Sequence, residues 1–128
     1  MKLVLDRAYG EVDLTASAEQ LNRLASAVGD GEGLLGPTSA PGGDHLAGVE
    51  VETSSGPGVR IRLDAPRHVL VISGDPVARA ALADDLRAMA AAEDGGHLHI
   101  DYFPDHPYLM EGTLSLVVNS PHGGMPTR

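Results

Sequence analysis

Val69-Leu70-Val71-Ile72 is an unbroken run of branched apolar side chains set between His68 and Ser73-Gly74. Successive side chains of a strand point to opposite faces. A run of this kind must therefore be covered on both sides, and it predicts a central strand with other elements packed over it. The rest of the 128-residue chain, the length of one domain, has to supply that cover. Just upstream, Val49–Thr53 and Val59–Leu63 alternate apolar and charged residues across Ser54–Gly58, which is turn material. A hairpin centred on Gly56 sets Glu52 opposite Arg60 and Glu50 opposite Arg62, with Val51 against Ile61 and Val49 against Leu63 on the apolar face. The acid–arginine rows read as a solvated sheet face.

Asp75-Pro76 opens a helix, with Asp as N-cap and Pro at the first helical position. Ala78, Leu82, Leu86 and Met89 form its buried stripe, the adjacent Asp84 and Asp85 read as solvated helix surface, and Asp94-Gly95-Gly96 ends it. An earlier helix starts at Ser17, where Ser17 and Gln20 match a capping box. Leu21, Leu24, Ala25 and Val28 share its inner face, and Gly29 is its stop. Lys2–Asp6 pairs with Glu11–Leu14 across Tyr9-Gly10; further strands run over His97–Phe103 and Thr113–Asn119. Residues 29–43 are rich in Gly and Pro and read as a flexible loop, without the Lys-Ser/Thr of a phosphate cradle. Residues 120–128 read as a frayed tail. No internal repeat is visible. The whole is a single α+β domain over residues 1–128, a mainly antiparallel sheet of five to seven strands with two helices on one face, in the order βαβββαββ.

Charge and composition narrow the function. Eighteen acids against nine Lys plus Arg give a net charge of −9. That balance opposes nucleic-acid backbones and anionic membrane surfaces, and suits a basic protein partner. The chain has no Cys, which removes disulfides, thiolate metal sites and thiol nucleophiles. The N-terminus lacks the long apolar stretch and cleavage site of a secretory signal, and no apolar run reaches the length of a membrane span, so the expected location is the cytoplasm. Ser115 and Ser120 lie in no nucleophile elbow. The sequence sets no oligomeric state.

The densest group of functional side chains is His97, His99, Asp101, Asp105, His106 and Glu111. On a strand, His97, His99 and Asp101 share one face, and Leu98, Ile100 and Tyr102 share the other, toward the core. Two imidazoles and a carboxylate on one face can ligate a divalent ion, so one reading is a metal-binding protein or metal-dependent enzyme using His97, His99 and His106. The spacing resembles the H-x-H-x-D-H motif of metallo-β-lactamase-type hydrolases, but Tyr102 stands where that motif has its last His. Three of the four Tyr and Phe residues, Tyr102, Phe103 and Tyr108, fall in the same segment. Aromatics beside acids mark protein-recognition surfaces; the competing reading is that the loop folds back over a sheet edge. The candidate partner-binding residues are His97, His99, Asp101, Phe103, Asp105, His106, Tyr108 and Glu111.

The stretch from His68 to Ala90 and the stretch from His97 to Ser120 resemble immunity protein family 32 of bacterial polymorphic toxin systems. The likeness lies in the strand–helix–H-x-H-strand layout, the Tyr-Phe-Pro-x-His-Pro-Tyr loop and the final apolar strand. It covers the second half of the chain, with His97, His99, Tyr102, Pro104, His106, Pro107 and Tyr108 as the matching positions. The resemblance implies a cytoplasmic protein that neutralises a cognate toxin by binding it, without catalysis or cofactor.

Overall fold

The computed structural model describes residues 1–36, 43–92 and 96–119. The strands are β1 (Lys2–Asp6), β2 (Glu11–Thr15), β3 (Gly33–Leu35), β4 (Gly48–Thr53), β5 (Val59–Asp64), β6 (Val69–Gly74), β7 (His97–Ile100) and β8 (Ser115–Asn119). The helices are α1 (Ala18–Asp30), between β2 and β3, and α2 (Pro76–Ala91), between β6 and β7. The class is α+β, but two four-stranded sheets, β1-β2-β8-β7 and β3-β4-β6-β5, replace the expected single sheet, and the order is ββαββββαββ rather than βαβββαββ, because a hairpin opens the chain and β3 follows α1. Each sheet is mixed, because β2 pairs parallel with β8 and β4 pairs parallel with β6.

The expected hairpin of Val49–Thr53 with Val59–Leu63 does not form. The all-buried β6 lies between them, parallel to β4 and antiparallel to β5. A strand buried at every position is best covered when both its edges are paired, and β6 takes the central place that a local hairpin would deny it. The charged face survives this rearrangement by reaching across β6. Arg62 pairs diagonally with Glu52 at 3.1 Å, and Arg67 pairs with both Asp64 and Glu50.

Residues 2–53 and 59–119 each run strand, strand, helix, strand, strand, and the match extends to register. Leu3 faces Leu14 in the first hairpin of one half, and Ile61 faces Ile72 in the first hairpin of the other. Val12 faces Leu116 across one parallel seam, and Leu70 faces Val49 across the other. Both hairpin turns begin with an Asp whose carboxylate accepts a backbone N–H, Asp6 from Ala8 and Asp64 from Arg67. Both close on a left-handed residue, Gly10 at φ 61° and His68 at φ 60°. The carbonyls of those two residues accept from Ser115, the first residue of β8, and from Ala47, the residue before β4. Each sheet thus joins the first hairpin of one half to the last hairpin of the other. This repeat was invisible in the sequence because most equivalent positions share only apolar character, and identities such as Asp6 with Asp64 and Leu24 with Leu82 are few.

The helices follow the same scheme. Ser17 accepts from Gln20 N and Gln20 returns the bond, as the capping box predicts; Asp75 accepts from Ala78 N. Counting from those caps, Leu24 matches Leu82, Ala25 matches Ala83, and Val28 matches Leu86, and all six are buried. The helices pack on each other, and with the inner faces of both sheets they form one apolar cluster. The exception is Arg79, which stands where α1 has Leu21 and is only 4% exposed. Its guanidinium donates to the carbonyls of Val28 and Gly29 in the last turn of α1 and to Gly74 at the end of β6. The last turn of α1 has no basic residue of its own, so Arg79 supplies the positive charge that a helix C-terminus favours.

Several boundaries differ from expectation. Helix α1 passes Gly29 and ends at the left-handed Gly31, at φ 84°, where the chain can turn into β3. The expected loop at 29–43 therefore begins as helix end and short strand; its positions 37–42 lie outside the described residues. Helix α2 ends at Ala91, ahead of the expected Asp94-Gly95-Gly96, and 93–95 lie outside the described residues, as does the expected tail at 120–128. Met89 is only partly buried, with Ala83 and Ala90 taking the inner face beside Leu82 and Leu86. Among the described residues no helix is long and apolar enough to cross a membrane.

Candidate protein-binding site

The chain between β7 and β8 builds the site. Strand β7 stops at Ile100, three residues short of the expected Phe103. The alternation that would bury Tyr102 ends with it, and Tyr102 is 38% exposed. The chain then crosses to the outer edge of β5. Val59 N donates to the Tyr108 carbonyl at 2.7 Å, Met110 N to the Val59 carbonyl at 3.0 Å, and Leu114 N to the Ile61 carbonyl at 2.8 Å. Thr113 Oγ1 accepts from Ile61 N at 2.6 Å. An edge strand needs such cover, so the reading in which this loop folds back over a sheet edge holds for its second part.

His106 organises the bend. Its Nδ1 accepts from the backbone N–H of Tyr108 at 3.1 Å and of Leu109 at 3.0 Å. These two bonds assign the neutral ring, with the proton on Nε2. Burial lowers the pKa of His106 below its ordinary value, against the opposing pull of Asp85 and Asp101. The ring lies between Phe103 and Tyr108, with centroids 4.8 and 4.7 Å away. Asp105 takes the left-handed conformation at φ 71° and turns the chain ahead of it.

Tyr108 closes the bend onto α2. It is 8% exposed, and its hydroxyl donates to Asp85 Oδ2 at 2.5 Å. Burial, helped by the Asp85 carboxylate, pushes the hydroxyl pKa far above its ordinary value, so it stays a donor. Tyr108 is therefore a fixed part of the wall rather than an exposed contact, and Asp85 is its anchor rather than free helix surface. On the facing side, Asp75 Oδ1 accepts from Gly58 N at 2.7 Å while Oδ2 caps α2. These backbone donors, Gly58 first, hold the Asp75 pKa below the usual carboxylate value.

Between the loop and the first turns of α2 lies a cleft of about 490 Å³. Pro57, Val77, Ala81, Tyr102, Pro107 and Met110 give it apolar walls, and Asp75, Asp105 and Glu111 line it with carboxylates. Val77 is 81% exposed and Phe103 53% exposed. Together with Tyr102 they place three of the large exposed apolar residues at or beside one opening, a grouping typical of a protein-binding surface.

The sequence candidates therefore separate. Asp105, His106, Tyr108 and Glu111 meet at the cleft, with the Phe103 ring tilted against His106 and exposed Asp101 nearby. His97 and His99 stand elsewhere, exposed on the outer face of β7 with ring centroids 6.2 Å apart. His97 Nδ1 donates to Asn119 Oδ1 at 2.6 Å, and Asn119 Nδ2 donates to Asp13 at 2.5 Å. The metal set His97, His99 and His106 does not assemble: among the described residues no three His, Cys, Asp or Glu side chains converge on a possible ion position. The cause is the early end of β7, after which the chain leaves the His face for the edge of β5.

Sequence reasoning missed Val77, Asp75, Asp85 and Pro57-Gly58 as parts of the site. Val77 carried a signal, since it is an apolar residue off the buried stripe of α2. No curated protein and no solved structure matches the chain. Residues 69–121, from β6 through α2 and the cleft-forming loop to just past β8, match the family model of Immunity protein 32, the family that this half of the sequence resembles.

Proposed function

We propose that the protein is an immunity protein, a non-catalytic binder that neutralises a cognate bacterial toxin domain in the cytoplasm by covering it. The observation that carries this reading is the placement of the family match. Residues 69–121 include α2 and the loop that together form most of the cleft, so the matching segment is the one that presents exposed apolar and acidic side chains. A binding surface needs such a preformed apolar centre with a polar rim. The binding surface comprises Asp101, Phe103, Asp105 and Glu111 around the cleft, with His106 and Tyr108 holding its shape. His97 and His99 form a flanking polar face. The toxin's facing surface is basic, complementing a chain of net charge −9.

Co-expression with the toxin encoded beside this gene tests the reading. The expected outcome is restored growth together with co-purification of the two chains. Continued toxicity with no complex, from a folded and well-expressed protein, would reject it.

A further inference from the structure

We propose, building on the immunity reading, that the cleft between α2 and the 102–111 loop receives a basic side chain of the partner, an arginine whose stem lies on Val77, Tyr102 and Met110 and whose guanidinium meets Asp105 and Glu111. The apolar groove comes first. Exposed Val77, Tyr102 and Phe103 flank it, so its occupant belongs to an extended protein surface rather than to a free cation.

Charge then selects the occupant. Arg7, Arg23, Arg62, Arg67 and Arg87 hold ion pairs on other surfaces, and Arg79 is buried against helix carbonyls. Among the described residues no Lys or Arg lines the cleft, whereas Asp75, Asp105 and Glu111 do. Asp85 and Asp101 lie close enough to act electrostatically on His106, which is itself neutral. None of these five carboxylates has an ion-pair partner among the described residues. Asp75 and Asp85 accept hydrogen bonds within the fold, which leaves exposed Asp105 and Glu111 to meet an incoming cation. Arginine fits better than lysine because a planar guanidinium can take two carboxylates at once and stack on an aromatic ring.

The test has two arms. In the first, the full chain is titrated by NMR with N-acetyl-arginine amide and, separately, with N-acetyl-citrulline amide, which keeps the shape without the charge. Saturable shifts at the amides of Gly58, Val77, Leu109 and Glu111 with arginine alone, lost in Asp105→Asn/Glu111→Gln, are expected. Asparagine tolerates the left-handed backbone at position 105, so the variant keeps the loop. Equal shifts with citrulline, or shifts as large on the Asp6, Glu11 and Asp13 surface, overturn the proposal. In the second arm the same variant is measured against the toxin, and a loss of affinity of about tenfold or more is expected. A toxin that binds variant and wild type alike removes the cleft and leaves the immunity reading intact. A toxin that binds neither ends the immunity reading, and the amide titration then decides the cleft alone.

Discussion

Removing one hydroxyl tests whether the cleft is preformed. Tyr108→Phe deletes the 2.5 Å bond to Asp85, which ties the loop to α2 across a sequence separation of 23 residues. A hydrogen bond to a charged acceptor is worth about 1.5–3 kcal/mol when buried. Tyr108 is buried but Asp85 is only partly so, and water can replace part of the lost bond. The expected cost is therefore about 1–2 kcal/mol. For a chain of 128 residues, an unfolding entropy of about 2.1 cal/mol/K per residue converts this to a fall in melting temperature of roughly 5 °C. The assay is urea unfolding of wild type, Tyr108→Phe, Asp85→Ala and the double variant. The midpoint should move with the slope unchanged, and the cycle should return a coupling of about 1–2 kcal/mol. Costs that simply add to within about 0.3 kcal/mol would show that the loop is not clamped there, and the preformed wall would have to be abandoned.

Other perturbations probe separate parts of the account. Arg79→Met should cost about 2–4 kcal/mol in urea unfolding, because it takes the guanidinium donor from the carbonyls of Val28 and Gly29 and leaves that of Gly74 with the Ser54 N–H alone; a change under about 0.5 kcal/mol would contradict the capping role. The folded state holds His106 neutral with a lowered pKa, while the unfolded chain binds a proton near the ordinary value of 6.5. Its contribution is thus full above that value and declines as pH falls through it toward the folded midpoint. Protonation at Nδ1 also removes the acceptor for Tyr108 and Leu109 N–H, so their exchange protection, corrected for intrinsic rates, should drop on acidification; protection flat across that range would refute the assignment. The rate of association with the toxin should fall steeply as salt rises, and a rate indifferent to salt would reject steering by charge.

Local chemistry made much of the fold legible. The capping box at Ser17, the Asp75-Pro76 start and the buried face of α1 follow from interactions within a few residues, and each is observed. Pairing over distance was not legible. The alternation of Val49–Thr53 and Val59–Leu63 fits a hairpin as well as it fits two strands flanking a third, and only the demand of β6 for two partners decides between them. The internal repeat escaped for a related reason: Leu21 and Arg79 occupy equivalent places, yet one fills the core and the other caps a neighbouring helix. At the site, the loop residues were visible as an unusual concentration of aromatic and acidic side chains. Strand alternation, extended past Ile100, wrongly joined His97 and His99 to them and wrongly buried Tyr102. The opposite wall, Val77 with Asp75 and Gly58, could come only from the packing of α2 beside the loop.

The most direct measurement of the central claim is amide hydrogen exchange of the protein alone and in complex with its toxin. Binding at the cleft predicts new protection at residues 101–111 and in the first two turns of α2, with the charged outer face of β4, β5 and β6 unchanged. Protection confined to that outer face, with the loop and α2 exchanging as in the free protein, would contradict it.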